Sequence, residues 1–168
     1  MANTLALWSR GGSKLKKFFL ILTLLATATF ALAQSNVPEI GIKDTKGKLW
    51  TLKSLEKDKI YFFEFWATWC GTCREIEPIL NDFRKEQKSL GYQFVSVSID
   101  ENLADLAKYV KTKTIDYPLL VDSRLEMADR WKVKEVPTMV IVKNGKVLWR
   151  KTGKVTLDEL RKAVKEAK

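Results

Sequence analysis

The sequence contains no histidine and only two cysteines, Cys70 and Cys73, in 168 residues. The absence of histidine excludes the usual Ser-His or Cys-His hydrolase arrangement and leaves no imidazole for a metal site. A zinc site needs about four ligands, which two sulfurs do not supply. Two thiolates could hold Cu(I), although no methionine or histidine stands near them in sequence. Redox chemistry of the two thiols is therefore the leading interpretation, with copper binding as the non-enzymatic alternative.

Long runs of like charge are also missing. The formal net charge is +10, and four of the 30 basic residues lie before residue 34, where there are no acids. Residues 34–168 therefore hold 26 basic and 20 acidic side chains, mixed along the chain. Because no run of basic residues is interleaved with aromatics, we expect no nucleic-acid binding. A lysine-rich soluble surface explains the charge, and mild attraction to anionic membranes stays open.

No apolar run reaches the ~20 residues that span a bilayer comfortably. The first 33 residues instead have the layout of a signal peptide. Basic residues extend to Lys17, an apolar stretch follows over 18–32, and Ala31-Leu32-Ala33 is a small-x-small cleavage pattern. We expect cleavage after Ala33, with an uncleaved membrane anchor as the alternative. Residues 34–168 then form one exported domain in an oxidising periplasmic or other extracytoplasmic space.

Apolar patterning in residues 34–168 predicts an α/β domain. Residues 60–66 are almost unbroken apolar sequence, which is typical of a strand buried on both faces. A helix containing Pro78 is expected over 70–89. The remaining expectations are strands at 37–42, 49–52, 93–99, 117–122, 138–142 and 146–150, and helices capped by Asp100 or Asn102, over 123–131 and after the capping box at Thr156. This order favours a sheet covered by helices, with a hairpin at its N-terminal end.

The two cysteines follow the buried strand at the start of the expected helix. A thiolate there faces unpaired amide groups and the positive end of the helix dipole, so the Cys70 pKa should lie below the ~8.5 of a free thiol. Cys70 is therefore predicted to attack a substrate disulfide, and Cys73, expected to be more buried, to resolve the mixed disulfide. A structural disulfide is the alternative, but closing so short a loop removes little entropy from the unfolded chain. Gly71 and Thr72 bring no histidine between the cysteines, so we expect a reducing couple.

Glu64 interrupts the apolar strand six positions before Cys70. Burial of an ionised carboxylate is costly, so the pKa of Glu64 should be raised. Such a group could accept the proton of Cys73 during the resolving step. The alternative is a glutamate whose carboxylate reaches solvent at the strand end. Two further acids, Glu75 and Glu77, are expected on a solvated helix face.

Val136-Pro137-Thr138 directly precedes an expected strand. A proline there ends pairing on one side and can be cis in a tight turn. Trp66 is expected in the core, whereas Trp69 is expected on the surface beside Cys70, where it could contact substrate.

Residues 65–74 (Phe-Trp-Ala-Thr-Trp-Cys-Gly-Thr-Cys-Arg), Pro78 and the later Val136-Pro137-Thr138 resemble the thioredoxin superfamily, over roughly residues 37–166. The signal segment, the N-terminal hairpin and an extra helix–strand unit near 102–122 resemble its TlpA/ResA-like branch of exported thiol–disulfide oxidoreductases. The resemblance implies a thioredoxin-like fold, in which helices flank a central mixed sheet.

The resemblance also implies roles for individual residues. Pro137 would be a cis-proline packed against the disulfide, Val136 would offer backbone hydrogen bonds to an extended substrate, and Glu64 would be the family's buried acid. Substrate contacts are expected from Trp69, Gly71, Thr72, Val136 and Thr138. Two positions depart from the branch: Gly71-Thr72 lacks the frequent proline, and Ile76 stands where many members carry a glutamate. The second departure weakens the case for a specialised role in cytochrome c maturation.

We therefore predict an exported thiol–disulfide reductase that acts on disulfides of exported proteins and needs no cofactor beyond the Cys70–Cys73 pair. Its electrons would come from a membrane thiol carrier, and the protein is expected to be a monomer. Three alternatives stay open: a dithiol oxidase that installs disulfides, a peroxiredoxin-like peroxidase and a Cu(I)-binding module.

Overall fold

The computed structural model describes residues 36–168. In chain order the elements are β1 (Ile42–Lys43), β2 (Leu49–Trp50), a 3₁₀ helix (Leu52–Ser54), β3 (Ile60–Trp66), α1 (Gly71–Lys85), α2 (Gln87–Leu90), β4 (Tyr92–Ser98), α3 (Leu103–Val110), β5 (Leu119–Val121), α4 (Glu126–Arg130), β6 (Thr138–Lys143), β7 (Lys146–Thr152) and α5 (Leu157–Glu166). The expected signal peptide or anchor over 1–33 lies outside these residues. Within them, no helix combines the length and apolarity needed to cross a bilayer.

A five-stranded mixed sheet in the order β5-β4-β3-β6-β7 forms the centre of the domain. β3 runs parallel to β4 and β4 runs parallel to β5, whereas β6 and β7 are antiparallel to their neighbours. Every residue of β3 is buried, as its apolar sequence predicts for a central strand. The segment 67–70, which ends at Cys70, follows β3 directly and so starts from a strand that is buried along its whole length.

Alternate residues of β3 point to opposite faces of the sheet, and each face has its own apolar layer. On one face Phe62 packs against Phe83 of α1, with 5.0 Å between ring centroids. On the other face Phe63 and Phe65 pack against Trp131, at 5.0 and 5.6 Å. Burial of each phenylalanine contributes about 1.5–3 kcal/mol, so β3 is held from both sides.

The predicted N-terminal hairpin is present, but β1 and β2 have only two residues each. Between them the Asp44 carboxylate accepts a hydrogen bond from the Trp50 indole at 3.0 Å and closes the turn. The strand expected over 37–42 is wrong for most of its length. The carbonyl of Glu39 accepts a hydrogen bond from the Arg130 side chain instead of joining a ladder.

The single helix expected over 70–89 is divided into α1 and α2. At the end of α1 the Phe83 carbonyl accepts hydrogen bonds from the Glu86 amide at 2.9 Å and from the Tyr92 hydroxyl at 2.7 Å. The bond from Glu86 spans three residues and tightens the last turn, so the regular α-helical hydrogen bonds end here. α2 then closes at Gly91, whose φ of 73° lies in the left-handed region that favours glycine.

The extra helix–strand unit between β4 and β5 is confirmed. Asn102 caps α3, because its side chain accepts a hydrogen bond from the Ala104 amide at 3.0 Å. Residues 111–118 lead from α3 into β5 and place Lys113 near α1. This unit supplies one wall of the groove described below.

Candidate active site

Cys70 is the N-cap residue of α1, and its sulfur forms a disulfide with Cys73. The Cys73 amide donates a hydrogen bond to Cys70 Sγ at 3.1 Å, so the sulfur takes the place of the usual capping oxygen. The Cα atoms of the two cysteines are 5.3 Å apart. The predicted position of Cys70 at a helix N-terminus is therefore confirmed.

The two sulfurs differ in their neighbours more than in their exposure. Each cysteine is 5% exposed in the disulfide form, so the expectation that Cys73 is the more buried one is wrong for this state. Cys70 Sγ lies 3.5 Å from the carbonyl oxygen of Val136. Cys73 instead borders a groove that also reaches Glu64. Cys70 Sγ thus faces the loop at Val136, whereas Cys73 faces the groove.

Trp69 and Gly71 flank Cys70 in the chain. Trp69 is 65% exposed, which agrees with its predicted position. Gly71 is exposed, and a methyl group built on its Cα would meet nothing within 4 Å. Thr72 is half-buried. Trp66, by contrast, is a core residue as predicted, with its indole donating to the Ser96 hydroxyl.

The Val136–Pro137 peptide bond is cis, and Pro137 is buried. Thr138 is also buried, and its hydroxyl donates to the Glu135 carbonyl at 2.6 Å and shares a hydrogen bond with Thr152. Thr138 therefore lies behind the site surface, where its side chain holds the loop instead of facing a substrate. Within residues 36–168 no backbone group bonds to the amide or carbonyl of Val136, and the carbonyl oxygen lies 3.5 Å from Cys70 Sγ.

Asp100 fixes the loop that precedes Cys70, a role that the sequence analysis missed. Its carboxylate accepts hydrogen bonds from the Thr68 amide at 3.0 Å, the Thr68 hydroxyl at 2.6 Å and the Ser98 hydroxyl at 2.8 Å. The Arg74 guanidinium donates to the Thr68 carbonyl at 2.8 Å and holds the loop from the other side. The position of Asp100 in the sequence could have indicated this role. Asp100 follows β4, and the parallel strand β3 ends at the same edge of the sheet, next to the loop that precedes Cys70.

Glu64 lies on β3 between Ser96 of β4 and Met139 of β6, and it is 8% exposed. Burial raises the pKa of Glu64 to about 8, which confirms the predicted direction. The Arg84 guanidinium opposes this rise in pKa, and the Glu77 carboxylate adds to it. Glu64 therefore titrates near neutrality, the range in which a carboxylate can both accept and return a proton.

A groove of about 690 Å³ runs between α1 and the inserted unit, with Glu64 and Cys73 both in its lining. Glu77 also lines it, and Glu77 Oε1 lies 2.6 Å from Lys113 Nζ. The expectation that Glu77 belongs to a solvated helix face is therefore wrong. Glu75 does point away, with its carboxylate 2.7 Å from the ammonium group of Lys154.

The two cysteines are the only thiol ligands in the part of the chain that the structure describes. No cluster of three or more cysteine, aspartate or glutamate side chains suited to a metal occurs among residues 36–168. The chemistry that Cys70 and Cys73 offer is thiol–disulfide exchange, and Glu64 lines the same groove as Cys73.

Comparisons with known proteins agree with this chemistry. Residues 33–156 match the model of the AhpC/TSA family. A thioredoxin-like protein of Haemophilus influenzae is 32% identical over 142 residues, which are 84% of this chain and 83% of that protein. The thiol-disulfide oxidoreductase ResA of Bacillus subtilis is 31% identical over 123 residues, which are 73% of this chain and 68% of ResA.

The fold is also similar to that of solved structures. The crystal structure of a protein described as thiol:disulfide interchange protein DsbE, from Chlorobium tepidum, superposes with a TM-score of 0.70 at 26% identity. The match covers 80% of this chain and 96% of that chain. These similarities confirm the thioredoxin-like fold and the TlpA/ResA-like resemblance.

Proposed function

We propose that this chain, which belongs to the AhpC/TSA family and is a thiol–disulfide oxidoreductase, works as a reductase of disulfides in exported proteins. The observation that carries the proposal is the position of Cys70 at the N-cap of α1, where the Cys73 amide donates to its sulfur. Helix amide groups stabilise a thiolate at this position, and Cys73 is close enough to complete the exchange.

The reaction proceeds in two exchanges. The Cys70 thiolate attacks one sulfur of the substrate disulfide, and the other substrate sulfur leaves as a thiolate. Cys73 then loses its proton to the Glu64 carboxylate and attacks Cys70 Sγ, which breaks the mixed disulfide and releases the second substrate thiolate. Two protein thiols are oxidised to the Cys70–Cys73 disulfide while one substrate disulfide is reduced. Glu64 suits this role because it borders the same groove as Cys73.

Substrate binding in this proposal uses the surface around Cys70. The amide and carbonyl of Val136, to which no backbone group within residues 36–168 bonds, bind an extended substrate segment as an added strand. Trp69 covers an apolar part of the segment, and the open space above Gly71 admits its backbone. Thr72 borders the same opening, half-buried beside Gly71.

The direction of exchange depends on how strongly the reduced form is stabilised. A dithiol couple becomes a strong oxidant when many interactions favour its thiolate. Within residues 36–168, the Cys73 amide is the one hydrogen-bond donor to Cys70 Sγ, and the nearby Arg74 guanidinium is bound to Thr68. Helix stabilisation alone, without a side-chain cation on the sulfur, favours a reducing couple.

Export and electron supply complete the proposal. The basic and apolar layout of residues 1–33 supports an extracytoplasmic location, by cleavage or by anchoring. In that compartment a reductase has to be re-reduced, and we assign this to a membrane thiol carrier that exchanges with the Cys70–Cys73 disulfide. The disulfide is the redox centre, and no bound cofactor takes part.

Two measurements test this proposal. The Cys73→Ala variant should accumulate mixed disulfides on Cys70 with exported proteins, identifiable by mass spectrometry after expression with the native N-terminus. Equilibration of the wild-type protein with a thiol buffer should give a reduction potential nearer the about −270 mV of thioredoxin than the about −120 mV of strong dithiol oxidases. A value near the latter would assign the protein to the oxidase class, and absence of trapped partners would contradict the substrate assignment.

A further inference from the structure

An ion pair between Glu77 and Lys113 joins the two walls of the groove beside Cys73. Glu77 belongs to α1 and Lys113 to the inserted unit, and both line the groove. Their side chains are 28% and 35% exposed, so the pair lies at the boundary between the groove and solvent. Lys113 Nζ also lies 5.1 Å from the centroid of the Tyr109 ring, which limits its movement.

Glu77 stands four residues after Cys73 on α1. Residues at this spacing are neighbours on one helix face, so the Cys73 thiol and the Glu77 carboxylate border the same space. Glu64 enters that space from β3. Cys73, Glu64 and Glu77 therefore line one groove.

We propose that Glu77 and Lys113 are positioning residues for the resolving step, and that they act in opposite directions on proton transfer from Cys73 to Glu64. The inference rests on the proposed function, because it assumes that Cys73 resolves a mixed disulfide. The Glu77 charge raises the pKa of Glu64, and Lys113 Nζ lies 2.6 Å from Glu77 Oε1, where its positive charge compensates the carboxylate. Removal of either partner leaves the other uncompensated beside a buried carboxylate, where charges are weakly screened.

Other charged and titratable groups face the same space. They come from α1, α2 and the inserted unit: Arg74, Arg84, Lys85, Lys88, Asp116 and Tyr117. Arg84 is the strongest of them at Glu64, and it is fixed by Asn81 at 2.6 Å and by the Tyr117 ring at 4.3 Å. The two strands beside β3 place only uncharged side chains, Ser96 and Met139, opposite Glu64.

These neighbours stay unchanged when the pair alone is altered. Glu77→Gln removes a like charge and leaves Lys113 free, so the pKa of Glu64 should fall. Lys113→Gln leaves the Glu77 charge uncompensated, so the pKa of Glu64 should rise. Each shift should be about half a pH unit, which corresponds to a change of about threefold in the ionised fraction at neutral pH.

The test is stopped-flow mixing of the reduced full-length protein with Ellman's reagent, an aromatic disulfide that releases a coloured thiolate. The first release reports attack by Cys70, and the second reports resolution by Cys73. The rate of the second release should rise with pH as Glu64 ionises. We expect its midpoint to move to lower pH in Glu77→Gln, to higher pH in Lys113→Gln and back toward the wild-type value in the double variant.

Glu75→Gln is the matched control, because Glu75 lies on the same helix and forms an ion pair of 2.7 Å with Lys154 outside the groove. It should leave the midpoint unchanged. Shifts of the same sign in both groove variants, or no shift in either, would overturn the inference while a normal second release in the wild type leaves the proposed function standing. A wild-type protein without the second release would instead contradict the proposed function itself.

Discussion

The two sulfurs of one disulfide open onto different regions of the molecule. The Cys70 region lies at the surface, with exposed Trp69 and Gly71 around the N-terminus of α1 and the Val136 carbonyl 3.5 Å from Cys70 Sγ. The Cys73 region lies along a groove lined by the buried carboxylate of Glu64. In the proposed reaction, a spacing of three residues is enough to separate substrate binding from proton transfer. Cys70 meets the substrate, and Cys73 loses its proton to Glu64.

The largest effect should come from removing one sulfur at a time. Cys70→Ser should lower disulfide reduction by at least about a thousandfold, because the attacking thiolate is lost. Cys73→Ser should keep the first exchange at near the wild-type rate and stop at the mixed disulfide. The release of coloured thiolate from Ellman's reagent, followed in single turnovers, separates the two steps. Equal loss of the first exchange in both variants would remove the distinction between the two regions.

The next largest effect should come from Glu64 and should be confined to the step that Cys73 carries out. Glu64→Gln should slow resolution by about a hundredfold at neutral pH, because general-base assistance is lost, while attack by Cys70 keeps its rate. The dependence of resolution on pH near 8 should disappear with it. Glu75→Gln serves as control because its carboxylate points away from the groove. Unchanged resolution kinetics across neutral pH would remove Glu64 from the mechanism.

Glu64 should also leave a signature in stability. Its carboxyl ionises near 4.5 in the unfolded chain but holds its proton to about pH 8 in the folded protein. The folded state therefore binds more protons between these values, and stability should fall as the pH rises through them, by on the order of a few kcal/mol. Urea unfolding of the disulfide form at pH 5 and pH 8.5 (roughly the two ends of this window) should show the fall in wild type and little of it in Glu64→Gln. A wild-type free energy of unfolding that is the same at both pH values would contradict the burial of the Glu64 carboxyl.

A smaller effect should follow from loosening the loop that both regions share. Asp100→Ala leaves the Thr68 amide and the Ser98 hydroxyl without their acceptor. Buried groups left unpaired in this way cost about 1–3 kcal/mol, measurable in the free energy of unfolding. Asp129→Ala, at an exposed position, should change it by less than about 0.5 kcal/mol. Equal effects of the two substitutions would show that Asp100 does not hold the loop.

The smallest effect should be confined to the Cys70 region. Trp69→Ala should raise KM for a protein disulfide by about threefold and leave the free energy of unfolding within about 0.5 kcal/mol of wild type. Leu103→Ala is a control of similar chemistry, because Leu103 is exposed and apolar but belongs to α3. A loss of stability without a change in KM would make Trp69 a packing residue.

Local sequence patterns were sufficient for the residues whose environment is set by their neighbours in the chain. Cys70 follows a buried strand and opens a helix, and Glu64 interrupts an apolar run, so both environments could be read from spacing alone. Val136-Pro137 could be placed at a turn for the same reason. The thioredoxin-like sheet followed from the order of these elements together with the family resemblance.

The rest depends on contacts between distant parts of the chain. Glu77 looked like a solvated residue because the partner that turns it toward the groove, Lys113, is 36 residues away. Asp100 reads as a helix-capping residue until β3 and β4 are placed side by side, which brings it to Thr68. Thr138 was expected to contact substrate, but it is buried because β6 pairs with β3 on one side and with β7 on the other. The observed helix bounds differ from the expected ones for a similar reason. At the end of α1, for example, the Tyr92 hydroxyl of β4 donates a hydrogen bond to the Phe83 carbonyl.

The central claim is that the helix tip makes Cys70 a better nucleophile than an ordinary thiol. The direct measurement is the rate of alkylation of the reduced protein by iodoacetamide as a function of pH, with the modified residue identified by mass spectrometry. We predict that Cys70 is modified first, with a midpoint clearly below the ~8.5 of a free thiol, and that Cys73 reacts only at higher pH. Equal reactivity of the two thiols, with midpoints at the value of a free thiol, would contradict the account.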